Sequence, residues 1–193
     1  TEAFLANSNS QPPAAAQVNV CRCSTEEVMK SLEAENIWAE RHAWLPDCLL
    51  LQRTGDLERL KAFRDGMIYI QDPAARLAVL AAELQPGSRV LDVCAAPGGK
   101  SFAAAIAMGD RGEIVSCDLH ENKLKRIREG AVRLGLSSIC TEAADGRVFR
   151  EEWRDVFDLV VVDAPCSGLG ILRKKPDIRW KKPDDLFTLP VVQ

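Results

Sequence analysis

From residue 86 to residue 163 the sequence alternates short apolar runs with helical segments, and no other feature limits the fold as strongly. Residues 89–95 (RVLDVCA) read as a buried strand, 101–108 as a helix and 113–118 (EIVSCD) as a second strand. Residues 121–135 carry Leu124, Ile127, Ala131 and Leu134 at helical spacing, so this helix has one apolar face. Residues 138–143 and 157–163 (FDLVVVD) supply a third and a fourth strand. Apolar strands separated by helices imply a parallel sheet covered on both faces. The expected fold class is therefore α/β.

The chain has 193 residues, 47% of them apolar, enough for one such domain and an appendage. Residues 1–17 read as a linker or loop, 18–71 as a small α/β unit and 72–193 as the larger domain. Within the small unit, 18–20, 49–51 and 67–70 have strand character, the last introduced by Gly66. Ser24-Thr25-Glu26-Glu27 is a helix start, followed by Val28, Leu32 and Ile37 on an apolar face. Asp72-Pro73 punctuates, and 74–84 has helical composition. No apolar run approaches the roughly 18 residues of a membrane span, and no secretory signal opens the chain. The seven cysteines are odd in number and irregularly spaced, which argues against a disulfide framework and for a reducing cytoplasm. No metal site is expected. Cys21 and Cys23 stand one residue apart where zinc pairs have two between them, and the only histidines are His42 and His120.

Residues 89–101, RVLDVCAAPGGKS, form a strand–loop–helix junction of the kind that binds ligands at the carboxyl ends of parallel strands. Gly98 and Gly99 let the backbone approach a ligand, and a helix starting near Ser101 offers free N–H groups to an anion. Three readings compete: a tight connection and nothing more, a Walker loop, or a methyltransferase loop. Gly99-Lys100-Ser101 completes the end of a Walker loop, and FDLVVVD resembles a strand ending in a magnesium-binding aspartate. However, Cys94 stands where the first Walker glycine belongs. The dinucleotide fingerprint is absent. Asp118 closes the second strand about 20 residues after the glycines, where a carboxylate accepts from both ribose hydroxyls of a nucleoside cofactor. Asp145 follows the third strand, placed for the adenine end. A triphosphatase has no use for Asp118, so S-adenosylmethionine is the favoured ligand.

Asp163-Ala164-Pro165-Cys166-Ser167-Gly168 follows the fourth strand. A cysteine beside a methyl donor suggests one chemistry above others. A thiolate adding at C6 of cytosine makes C5 nucleophilic, C5 takes the methyl group, and loss of the C5 proton releases the enzyme. Asp163 could orient the base edge or the cofactor. Arg173, Lys174, Lys175, Arg179, Lys181 and Lys182 crowd the next segment beside Trp180, which suits gripping of RNA phosphate inside a chain of net charge -3. Lys123, Lys125, Arg126 and Arg128 read as the solvent side of a helix.

The segments VLDVCAAPGGKS, CDLHENKLKRI, DG and VVDAPCSGLGILRKKPDIRW together resemble the RNA cytosine-C5 methyltransferases, most of all the bacterial 16S ribosomal RNA enzymes of the Sun/Fmu type. The resemblance runs from about Val18 to the end of the chain. It implies a Rossmann-like S-adenosylmethionine-dependent methyltransferase sheet behind a small N-terminal RNA-binding subdomain. It also implies that Cys94, Ala95, Ala96, Pro97, Gly98, Gly99 and Lys100 line the cofactor. Asp118 would hold the ribose, Asp145 would sit near the adenine, and Asp163 would lie beside the methyl donor and the target base. In this family the Pro-Cys cysteine, here Cys166, assists product release, and a second cysteine in a Thr-Cys motif attacks C6. No residue of this chain matches that motif, so the expected methyltransferase domain is truncated and inactive alone, with its fourth strand left as an edge.

Overall fold

The computed structural model describes residues 2, 9–10, 12–182 and 189–192. These fall into two compact units: Ala14–Asp163, and the described residues on either side of it.

The larger unit begins with a four-stranded antiparallel sheet. Strands β1 (Ala14–Val18), β2 (Trp38–Arg41), β3 (Cys48–Gln52) and β4 (Ile68–Ile70) lie in the order β2-β3-β1-β4. Helix α1 (Thr25–Ala34) starts with a reciprocal cap: the Ser24 side chain accepts from Glu27 N at 3.3 Å, and Glu27 Oε2 accepts from Ser24 N at 2.8 Å. Its Val28 and Leu32, one turn apart, are fully buried against Ala16, Val18, Leu49, Leu51 and Ile68. A short helix α2 (Lys61–Arg64) precedes β4, and α3 (Pro73–Leu80) follows it, capped by the Asp72 carboxylate with Pro73 in the first turn. Two readings of this region change. The strand expected at 18–20 lies at Ala14–Val18, so residues 14–17 of the expected loop are paired with β3, and Ala16 and Gln17 with β4 as well. The edge strand β2 is new; its sequence WAER carries too many polar side chains to signal a strand.

The second sheet is parallel, in the order β7-β6-β5-β8, from β5 (Arg89–Asp92), β6 (Glu113–Asp118), β7 (Ile139–Ala143) and β8 (Leu159–Val161). Helix α4 (Gly99–Ala107) is buried over its whole length except Ala107, apart from the half-buried Gly99 and Lys100 at its start. Helix α5 (Glu121–Leu134) buries Leu124, Ile127, Ala131 and Leu134 as its spacing requires. These helices and α3 pack with Val90 and Ile114 on one face of the sheet. On the other face Leu91, Val115 and Cys117 meet Trp153 and Phe157 from the 3-10 segment Glu151–Trp153 and the chain after it. Both faces are thus covered, as expected from the alternation: α-helices lie on one, and on the other the described cover is the segment around Trp153 and Phe157. Val160 on β8 is 50% exposed, and β8 is an edge that pairs only with β5 there. Element ends also move. The strand expected over 89–95 stops at Asp92, α4 begins at Gly99 instead of 101, and α3 ends at Leu80 instead of 84, where Glu83 takes φ +49°.

The other unit carries two 3-10 segments, Leu169–Ile171 and Pro176–Trp180, with Ile178 buried. No helix among the described residues is long and apolar enough to cross a membrane.

Candidate cofactor site

Past Asp92 the chain leaves β5 but stays tied to both neighbours: Val93 N donates to Val161 O at 2.9 Å and Ala95 N to Cys117 O at 2.7 Å. The loop is therefore laid across the carboxyl ends of β8 and β6, where ligands bind in open parallel sheets. It closes with Gly98 N donating to Ala95 O at 2.6 Å, and Gly98 adopts φ +110°. The Phe102 ring explains two glycines together. Its Cζ lies 2.5 Å from where a β-carbon would stand on Gly98, and 2.5 Å from that place on Gly130. Helix α4 then starts with no side-chain cap, so its first N–H groups face the loop.

Beneath the loop lies a buried polar chain. Ser116 Oγ donates to Ser101 Oγ at 2.7 Å, and Ser101 donates to Asp92 Oδ2 at 2.8 Å. Asp92 is 1% exposed; burial pushes its carboxyl up to about 6 against the pull of Ser101, and Oδ1 has no partner. Ser101 is thus committed to Asp92, which removes it from the magnesium-binding duty that a Walker loop would give it.

Three carboxylates stand at successive strand ends, each with a cation. Asp118, 7% exposed, accepts from His120 N at 3.1 Å and has Lys123 Nζ 3.3 Å from Oδ1. Ala144 N donates to Asp118 O at 3.1 Å, which brings the start of the Asp145 turn beside it. Asp145 accepts from Arg147 N at 3.0 Å, Nε at 2.9 Å and Nη2 at 2.6 Å, and these bonds hold its carboxyl down at about 2. Gly146 presses on the glycine loop: a β-carbon there would stand 2.3 Å from Val93 Cγ1. Asp163 accepts from Lys100 Nζ at 2.5 Å. Burial first, then Asp118, Asp92 and Asp163, push the Cys94 thiol up, while Lys123 pulls it down.

The structure therefore brings Cys94 to Lys100, Asp118, Asp145 and Asp163 to one end of one sheet. Cys166 and the basic run belong to the smaller unit. There Cys166 is exposed, Lys181 Nζ donates to Ser167 O at 3.0 Å, and Gly168 (φ +74°) lies against Ile178. Arg173 is half-buried and donates to Ser10 O and Oγ at 3.0 and 2.9 Å; Arg179 donates to Asn9 Oδ1 at 2.8 Å. Lys174 and Lys175 are exposed, and Trp180 is 86% exposed. Two residues escaped the sequence reading. Asp92 was hidden inside an apolar strand, and Gln71, in the link IQDP, packs its amide against Gly99.

Residues 79–193 match the model of the 16S rRNA methyltransferase RsmB/F family. The chain belongs to this family. Residues 1–58 match the ferredoxin-like domain associated with it, which accords with the small antiparallel sheet. The chain is 39% identical over 184 residues to the probable ribosomal RNA small subunit methyltransferase B of Bacillus subtilis, covering 94% of this chain and 41% of that protein. It is 36% identical to ribosomal RNA small subunit methyltransferase B of Vibrio cholerae, covering 96% and 43%. The crystal structure of PH0851 superposes with a TM-score of 0.91 at 28% identity, over 99% of this chain and 43% of that one. The chain thus spans about two fifths of the length of these curated relatives. The RsmB/F enzymes are S-adenosylmethionine-dependent methyltransferases, which agrees with the expected cofactor and not with a triphosphatase.

The residues present suit this cofactor at two points: the Asp118 carboxylate, 7% exposed at the end of β6, and the uncapped start of α4 after Gly98, whose first N–H groups face the loop.

Proposed function

We propose that this chain carries the cofactor-binding part of an enzyme that methylates cytosine C5 in RNA, in particular 16S ribosomal RNA, in the cytoplasm. The observation that carries the reading is the set of three carboxylates at successive strand ends around a glycine loop. In this reading residues 72–193 are the methyltransferase part and residues 18–71 a small RNA-binding subdomain.

The bound cofactor supplies an electrophilic methyl group on a positively charged sulfur. Cys94, Ala95, Ala96, Pro97, Gly98, Gly99 and Lys100 line it, and the first N–H groups of α4 face its carboxylate. Asp118 accepts from the ribose hydroxyls, and Asp145 from the adenine amino group. Asp163, held by Lys100, stands beside the methyl group and the target base. Arg173, Lys174, Lys175 and Arg179 grip RNA phosphate, with Trp180 free to stack on a base. A cysteine thiolate adds to cytosine C6, C5 takes the methyl group, and proton loss from C5 expels the thiolate. Cys166 serves that expulsion; the attacking thiolate belongs to a Thr-Cys motif, which this chain does not contain. On this reading the 193-residue polypeptide alone transfers no methyl group.

The test is nucleoside analysis of 16S ribosomal RNA treated with the full-length protein and labelled cofactor. The reading expects label in 5-methylcytidine. Label in another methylated nucleoside, with none in 5-methylcytidine, sinks it.

A further inference from the structure

Gln71 links the antiparallel sheet to the glycine loop. Its backbone is held by β1: its N–H donates to Ala15 O at 3.2 Å, and its carbonyl accepts from Gln17 Nε2 at 2.9 Å. Its side chain lies on the loop, with Nε2 3.1 Å from the place a β-carbon on Gly99 would take. The absence of a side chain at Gly99 is what leaves room for this amide. Gln71 is 8% exposed, yet Oε1 is wholly buried without a partner, and Nε2 donates to no described residue. Native proteins pair nearly all their buried polar atoms, so an idle amide at this depth calls for a ligand.

The amide offers one donor group and one acceptor, next to the free N–H groups at the start of α4. The ligand end that matches it carries an anion and a cation side by side. We propose that the Gln71 amide holds the α-amino-acid end of the methyl donor, Nε2 donating to its carboxylate and Oε1 accepting from its ammonium. The terminal amide torsion is soft, so the group turns to present both atoms at little cost. This assignment rests on the S-adenosylmethionine reading of the site. It also ties cofactor affinity to the small sheet, since β1 fixes the backbone of Gln71.

Calorimetric titration of the 193-residue chain with two ligands tests the assignment. S-adenosylhomocysteine has the amino-acid end; 5′-methylthioadenosine shares the adenosine and the sulfur but lacks it. Gln71→Met keeps the length of the side chain and removes donor and acceptor. It is expected to weaken S-adenosylhomocysteine about tenfold, the loss of a hydrogen bond to a charged group, and to leave 5′-methylthioadenosine unchanged. Gln71→Glu keeps the shape and sets a negative charge against the ligand carboxylate, so it lowers S-adenosylhomocysteine affinity further and again spares the shorter ligand. Equal losses for both ligands, or none for either, in whichever variant retains the wild-type melting profile, overturn the assignment while the site reading stands. A wild-type chain that binds neither ligand overturns both.

Discussion

The contact between Gly146 and Val93 gives a prediction whose size follows from the coordinates. Gly146→Ala places a methyl group 2.3 Å from Val93 Cγ1, where ordinary contact needs about 3.5–4.0 Å. More than an ångström must be found. Val93 is β-branched and stiff, so leaving its well costs about 0.5–1.5 kcal/mol. Moving the loop instead costs about 1–3 kcal/mol, as in other overpacked sites. The expected destabilisation is therefore about 1–3 kcal/mol, a fall in Tm of about 2–12 °C for a chain this long. The displaced loop is the one that would bind cofactor, so S-adenosylhomocysteine affinity falls as well. Val93→Ala removes the obstructing atom; alone it costs about 1 kcal/mol, because Val93 is only half-buried. Thermal melts and titrations of both single variants and the double variant close a cycle. The double variant should match Val93→Ala alone in stability and regain most of the lost affinity. Additive losses would show that Gly146 is not confined by Val93, and the reasoning fails.

Asp118→Ala should weaken S-adenosylhomocysteine by about 1.5–3 kcal/mol by calorimetry, the range for losing bonds to a charged acceptor; unchanged affinity in a folded variant removes Asp118 from the site. Asp92 has a folded-state carboxyl at about 6, above the unfolded value of about 3.9. The folded state therefore binds the proton more readily, and Asp92's contribution to stability grows as pH falls from about 7 to 4. Asp92→Asn keeps an acceptor for Ser101 and should abolish that part of the pH profile in denaturant titrations; an unchanged profile refutes the assignment. In the full-length enzyme, Cys166→Ala should still attack RNA and accumulate a covalent complex on a denaturing gel. Loss of the adduct would make Cys166 the nucleophile.

Regularity decided what could be read from the sequence. Helix α5 was visible because Leu124, Ile127, Ala131 and Leu134 recur at helical spacing and all four are buried. Strand β6 was visible because Ile114, Val115 and Cys117 give EIVSCD an apolar centre before the carboxylate that ends it. The loop carboxylates were visible from their order along the chain, since each follows a strand. What escaped depends on tertiary contact. Strand β2 exists because Trp38 to Arg41 pair with β3, and its side chains do not announce that. Gln71 acquires meaning only when Gly99 is found beside its amide, 28 residues further along the chain. The Lys123–Asp118 pair likewise forms across a turn; by sequence Lys123 was one more cation on a solvated face.

Calorimetry of the 193-residue chain with S-adenosylhomocysteine, and separately with ATP and magnesium, tests the central claim most directly. That claim is that carboxylates at three strand ends make the glycine loop a site for a nucleoside-linked sulfur cofactor. S-adenosylhomocysteine should bind, with Asp118→Ala weakening it, and ATP with magnesium should give no heat above dilution. Saturable ATP binding that depends on Lys100, with no response to S-adenosylhomocysteine, would contradict the account.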